Sequence, residues 1–328
     1  MDIFDDFRIL DEPFVTRDSH AIMAHILLPK NAPSGPRPII INWHGGYLIM
    51  AHGLYAPYFP QFILDLAKKS DAIIISPDYT LLPHNDGLAA VQADVLAFHK
   101  WLLFSFASIL TAKAPSYEAD LTRVLLNGGS AGGYVATTHA LAFPDFFRAL
   151  ALTYPMLNFD TEWWRKGSLD TGSPNPMLLP DDAFIPDTAA IKEKIQQHQG
   201  GARISATEDI ERLGFAVSVA RKGLFHDLFS PHGKLDEDSN VWINRRIQAG
   251  AKLPERIWLL HGGADTAVPV ETSIAFAETM KSQGRPIRLD IVENKEHGFD
   301  AECSAGWKAE KDPIILNGLT WLVDKWLE

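Results

Sequence analysis

Short apolar runs separated by helix-length segments constrain this chain more than any other feature. "IIINWHGG", "AIIISPDY", "RVLLNGGS" and "FRALALTYP" are each too short for a globular helix, and their apolar residues are contiguous. That pattern marks strands buried on both faces. Between them lie "YFPQFILDLAKKS", "LAAVQADVLAFHKWL" and "AGGYVATTHALAF", which carry helical spacing; Val91, Val95, Phe98 and Leu102 share one face. The alternation resumes in "PERIWLLHGG", "AFAETMKSQG", "IRLDIVENKEHG" and "NGLTWLVDKWL". "AIMAHILLPK" reads as one more strand, ended by the turn residues of "NAPSGPRP". Strands with helical crossovers predict an α/β fold, a central mostly parallel sheet covered by helices on both faces. The 328 residues, 46% of them hydrophobic, suffice for one large core, so residues 1–328 are read as a single domain.

One region breaks the rhythm. Between Asn158 and Lys252 there is no run like "AIIIS"; the stretch "TEWWRKGSLDTGSPNPMLLPDDAFIP" is rich in Pro, Gly, Asp and aromatic residues. Helical spacing returns in "TAAIKEKIQQH" and "DIERLGFAVSVARKG". Residues 158–252 are therefore expected to be a helical cap inserted within the domain and lying over the sheet.

Charge and cysteine usage remove several function classes. A net charge of −11 repels phosphate backbones, so no nucleic-acid partner is expected. Cys303 is the single cysteine, which excludes an intrachain disulfide framework and a cysteine-rich metal site. "MDIFDDFRIL" is acidic where a secretory signal needs a basic patch, and no apolar stretch reaches membrane-spanning length. A cytoplasmic protein without membrane insertion is expected, with a homodimer left open.

The chemistry is carried by "VLLNGGSAGGY". Gly128-Gly129-Ser130-Ala131-Gly132 fits G-x-S-x-G at a strand-to-helix turn, the nucleophile elbow that exposes a serine hydroxyl above a sheet. The same residues also suit a glycine-rich turn with Ser130 as an N-cap. A dinucleotide fingerprint fits poorly, because glycine is needed where Ser130 stands, and no P-loop lysine follows. A serine nucleophile needs a base and the base an orienter, in the chain order serine, acid, histidine on this fold. "IWLLHGGADTAVP" supplies Asp265 just past one strand, and "LDIVENKEHGF" supplies His297 just past the next. Glu293 and Glu296 are rival acids on the histidine's own loop, and Asp290 falls within the strand. "INWHGGYL" ends an earlier strand with glycines whose bare amides can approach a substrate oxygen. The amides of Gly45, Gly46 and Ala131 are the expected oxyanion donors, with His44 bracing that loop.

"HGGY", "PDYTLLP", "GGSAGG", "HGGADTAVP" and "EHGF", in that order, resemble the hormone-sensitive-lipase-like branch of the α/β-hydrolases. The resemblance covers about Ile39 to Pro155 and Leu253 to the C-terminus. It implies a mostly parallel sheet, a helical cap, a Ser-Asp-His triad and no metal or organic cofactor. It also assigns the N-terminal segment, together with residues 158–252, to the cap. Three positions depart from the branch. Tyr47 stands where a third glycine is usual, a variant that resembles arylformamidases, and Thr80 and His84 replace the usual arginine and glutamate that brace the floor of the site.

These readings converge on a serine hydrolase acting on a small-molecule acyl substrate, an ester or lactone of an apolar or aromatic compound. Tyr47, Trp163, Trp164 and Phe225, with Phe146, are the candidate pocket residues. Two alternatives stay open: the same triad serving as a formamidase, acyltransferase or cyclase, or a ligand receptor on this fold.

Overall fold

The computed structural model describes residues 2–30, 35–167, 187–230, 240–300 and 312–328. Eight strands form one sheet: β1 (Phe7–Arg17), β2 (His20–Pro29), β3 (Pro36–Trp43), β4 (Ile73–Pro77), β5 (Glu118–Gly129), β6 (Ala149–Thr153), β7 (Arg256–Gly262) and β8 (Ile287–Val292). Their spatial order is β1-β2-β4-β3-β5-β6-β7-β8. The pairs from β4 to β8 are parallel, and β1 and β2 add an antiparallel hairpin at one edge.

The contiguous apolar runs are explained by two cores. Ile39, Ile41, Ile73, Ile75, Val124 and Leu126 face one way, and Ile40, Ile74 and Leu125 the other. On the first face lie α2 (Leu88–Phe104), α3 (Phe106–Lys113) and α4 (Ala131–Ala142), through Val91, Phe98, Leu110 and Val135. On the second lie α1 (Gln61–Ser70) and α11 (Pro313–Trp326), through Phe62, Leu66, Ile315 and Trp326. Neither face can be polar, because the pleat sends successive side chains to opposite cores.

The N-terminal segment departs from the expectation that it joins the cap. Residues 7–29 form the β1–β2 hairpin and continue the sheet instead. Burial along β1 is irregular and a bulge falls at Pro13/Val15, as suits an edge strand.

The described parts of residues 158–252 carry helices α5 (Glu162–Lys166), α6 (Thr188–Gln199), α7 (Ile210–Arg221), α8 (Phe225–Phe229) and α9 (Ile243–Gln248), joined by irregular chain. Residues 168–186, which hold most of the proline-rich stretch, and Cys303 lie outside the described residues. The helical segment is anchored beside the β3 loop. Arg212 of α7 donates to the carbonyls of Ile49 and Leu82, and Ala51 bridges to Thr207. The remaining helix, α10 (Val270–Ser282), follows β7. Among the described residues no single helix is long and apolar enough to cross a membrane.

Candidate active site

The sharp turn between β5 and α4 sets the position of Ser130. Its φ of 54° and ψ of −122° lie outside the regions that L-residues favour. The turn is held by the Ser130 amide on the Thr153 carbonyl (2.9 Å) and by the Ser130 carbonyl, which accepts from Gly133 and Met156 (both 3.0 Å). Close approach explains Gly132: a Cβ there would sit 2.0 Å from the Trp43 carbonyl oxygen. The elbow therefore packs against the end of β3, which leads into the Gly45 loop.

Asp265 follows β7 and His297 follows β8, so parallel neighbouring strands deliver both to the edge of the sheet where β5 ends. His297 Nε2 lies 3.0 Å from Ser130 Oγ, and His297 Nδ1 lies 2.7 Å from Asp265 Oδ2. Because a carboxylate only accepts, Nδ1 carries the proton, leaving Nε2 able to accept from the hydroxyl. The Asp265 side chain is fully buried, and its other oxygen accepts from the amides of Ala267 (2.9 Å) and Val268 (2.8 Å). Burial pushes this carboxyl up, but the charge of His297 and hydrogen bonds from His261 and His297 outweigh it and hold it well below the usual carboxylate range.

The rival acids do other things. Glu296 Oε2 accepts from the Thr266 amide and hydroxyl and from the His297 amide, clamping the two loops together. Asp290 lies within β8 and binds Trp258 and Arg288. Glu293 is exposed.

Above Ser130, residues 44–51 form a tight turn. Gly46 has φ +102°, and its carbonyl accepts from Ile49 and Met50. Tyr47, Leu48 and Ala51 also have positive φ, a concentration of backbone strain that suits a site held in one shape. Gly45 packs so tightly over the serine that a Cβ there would be 3.4 Å from Ser130 Cβ. The Gly45 and Gly46 amides make no hydrogen bond among the described residues, and Ala131, first in α4, has no intrahelical acceptor. His44 braces the turn: its Nδ1 donates to the Gly45 carbonyl (2.8 Å), and its ring stacks on Tyr79 at 4.2 Å. Tyr79 in turn donates to the His44 carbonyl (2.9 Å). Burial holds the His44 ring neutral, down to about 4.

A cavity of about 170 Å³ opens onto Ser130 and His297, smaller than the ~300–1,000 Å³ of drug-sized ligand sites. Tyr47 lines it, and its buried hydroxyl has no hydrogen-bond partner among the described residues. Phe225, Trp164 and Trp163 do not line it. Phe225 stacks behind Tyr47 (5.7 Å), Trp164 packs behind Phe225 (4.9 Å), and Trp163 meets Trp164 (4.6 Å). Phe146 sits before β6, at the opposite end of the sheet from Ser130, against His99 and Phe147. The wall is completed by residues that sequence reasoning missed: Pro57, Tyr58, Pro60 and Tyr154. Tyr154, in "ALTYP", is the first residue past β6, and its ring lies 4.3 Å from that of His297. Its place beside the elbow strand was the available signal.

The departures at Thr80 and His84 also find a local account. Thr80 gives its hydroxyl and amide to Asp94, and Arg203, from the helical segment, donates to Thr80 Oγ1 (2.7 Å). At this position, where the resemblance leads one to expect an arginine, a guanidinium from elsewhere in the chain meets the Thr80 hydroxyl. His84 lies nearby, and burial together with Arg203 lowers its pKa.

Residues 40–183 match the family model described as alpha/beta hydrolase fold. A probable carboxylesterase of Cochliobolus lunatus, clz11, is 30% identical over 209 residues, spanning 62% of this chain and 88% of the relative. The chain belongs to the α/β-hydrolase family. Within it, the chain falls in the hormone-sensitive-lipase-like esterase branch. A probable carboxylesterase of a Phoma species, M8, is 27% identical and covers 98% of both chains. The crystal structure of carboxyl esterase 2 from Tuber melanosporum shares the fold, with a TM-score of 0.63 at 17% identity, over 98% of this chain and 89% of that one.

Proposed function

We propose that this α/β-hydrolase is a serine hydrolase that cleaves a carboxylic ester or lactone of a small apolar or aromatic compound through an acyl-enzyme on Ser130. The observation that carries the reading is the unbroken relay from Asp265 through His297 to the Ser130 hydroxyl, beneath amides with no other partner among the described residues. Ser130 Oγ attacks the acyl carbonyl while His297 Nε2 takes its proton. Asp265 fixes the Nδ1–H tautomer and stabilises the imidazolium. The amides of Gly45, Gly46 and Ala131 receive the developing oxyanion. His297 returns the proton to the leaving alcohol, and water then repeats the sequence to free the acid. Residues 158–252 serve as the cap. They act by holding the oxyanion turn through Arg212 and by backing Tyr47 with Phe225. The similarity to carboxylesterases and a cavity with little room beyond a short acyl group support an ester substrate with a compact acyl side.

The test is hydrolysis of a short p-nitrophenyl ester by wild type and Ser130→Ala, with circular dichroism of both. Loss of one triad member typically costs ~10⁴–10⁶ in rate, so the variant should be inert but folded. Near-wild-type activity in the variant refutes the assignment. Running the same assay with an added alcohol or amine, and with an N-formyl arylamine, separates hydrolysis from acyl transfer and from formamidase activity.

A further inference from the structure

We infer that His25, His52 and Asp78 form a binding site for a divalent transition-metal ion of the zinc class, which locks the outer side of the oxyanion turn. Each offers a ring nitrogen or carboxylate oxygen within 4.8 Å of the others'. His25 comes from β2, Asp78 from the residue after β4, and His52 from the chain just past the strained Gly46–Ala51 turn. The site is separate from Ser130 and would take no part in the acyl chemistry.

The second layer of contacts gives the group its character. Asp11 Oδ1 lies 2.7 Å from His25 Nδ1, and Glu208 Oε1 lies 2.8 Å from His52 Nε2. Each carboxylate must accept, so the proton of each ring is fixed on the outer nitrogen, and the other nitrogen is left with a lone pair. A carboxylate behind each metal-binding imidazole is the arrangement that orients the ring and raises its basicity. For His52 the remaining nitrogen is Nδ1, which among the described residues accepts a single long hydrogen bond from the Leu54 amide (3.3 Å). For His25 it is Nε2, buried and without a hydrogen-bond partner among the described residues, 3.4 Å from Asp78 Oδ1. A lone pair facing a carboxylate oxygen is repulsive unless a cation lies between them. Two imidazoles and a carboxylate suit zinc and its neighbours, leaving a fourth position for water.

Charge points the same way. Among the described residues, the ion pairs of Asp11, Asp78 and Glu208 are with these two histidines alone. Three carboxylates thus surround two imidazoles, and a divalent ion would offset most of their negative charge. The ion would also tie down the site's frame. Asp78 Oδ1 accepts from the Gly53 amide (2.8 Å), and the next residue, Tyr79, holds the His44 carbonyl. The competing occupant is a second proton on His25, bridging Asp11 and Asp78 with no metal.

The experiment uses the full-length enzyme, stripped with chelator and titrated with Zn²⁺ by calorimetry, and with Co²⁺ by visible absorption. Prior labelling of Ser130 with a fluorophosphonate blocks binding at His297. The expected result is one equivalent of Zn²⁺ and a tetrahedral Co²⁺ spectrum, both lost in His25→Ala and in His52→Ala. Glu208→Gln, at an exposed position that should fold normally, should weaken binding ~10–100-fold. Free Zn²⁺ at ~100 times Kd should raise Tm by on the order of 5 °C in wild type and by nothing in His52→Ala. The inference is overturned if stripped wild type takes up no stoichiometric zinc, or if His52→Ala and Glu208→Gln bind it as wild type does. A doubly protonated His25 gives the first of these results.

Discussion

Tyr47→Phe isolates one hydroxyl that has a place in the cavity and no partner among the described residues. Tyr47 is only 2% exposed, and its Oη makes no hydrogen bond to any of them. Burial pushes the phenol far above its ordinary range, with the Asp265 charge adding to it, so the group is a neutral donor at every working pH. An unsatisfied buried hydroxyl costs about 1–3 kcal/mol. Removing it leaves the ring stacked on Phe225 and opens a void of one oxygen only. The free enzyme should therefore gain about 1–3 kcal/mol, a Tm rise of roughly 2–6 °C for a chain of this size. Substrate should behave in the opposite way. If the hydroxyl meets a polar atom of the bound ester, the variant forfeits a hydrogen bond worth about 0.5–1.5 kcal/mol, and kcat/KM falls about two- to tenfold. Differential scanning fluorimetry of the free enzyme and steady-state kinetics on one ester read both numbers. A variant that is less stable than wild type, with unchanged kinetics, would show that Oη already has a partner and that Tyr47 is only part of the wall.

Acid should destabilise the fold well before its carboxylates titrate. Burial holds His44 and His99 down to about 4, and His139 well below its ordinary value. Unfolded, each takes up a proton below ~6.5. Between ~6.5 and ~4 the unfolded chain therefore binds more protons, and stability falls with pH by up to about 1.4 kcal/mol per unit for each ring. His84, lowered by burial and by Arg203, acts with them, and in the metal-free protein His25, where Asp78 and Asp11 outweigh burial and raise the pKa, opposes them as one group against four. Urea melts at pH 7.5 and 5.0 check this, and an unchanged midpoint would contradict it. Trp164→Ala, at a fully buried position two layers behind the cavity, should cost about 3–5 kcal/mol and lower rates on short and long acyl esters alike. Tyr58→Ala, in the wall itself, should instead shift the ratio of the two rates. The opposite pattern would move the selectivity to the cap aromatics.

The parallel sheet was legible because strands buried on both faces leave contiguous apolar runs, as Ile39–Ile41 and Ile73–Ile75 do. The chain position of Ser130 was legible because it follows directly on such a run, and those of Asp265 and His297 because each lies in the loop just past a later strand, β7 and β8. Strand β1 was not, since "FRILDEPFVTR" mixes exposed and buried residues around a proline bulge. The cavity wall was not legible either. Trp163 and Trp164 attract notice as a pair, yet they stack behind Phe225, whereas Tyr58 and Tyr154 stand alone in sequence and meet only in the fold. Glu296 looked like a rival to Asp265, and only the hydrogen-bond directions reveal it as the clamp on the Asp265 loop. Pairs that depend on two distant loops leave no spacing to read.

The central claim is that an acyl group passes through Ser130. Its most direct test is intact-mass spectrometry of the enzyme quenched in acid during turnover of a p-nitrophenyl ester, followed by peptide mapping. The account predicts a transient adduct of one acyl group on the peptide containing Gly128–Gly133, absent from Ser130→Ala and long-lived in His297→Ala if that variant acylates at all. Full turnover with no adduct at any quench time, or an adduct on another residue, would contradict it.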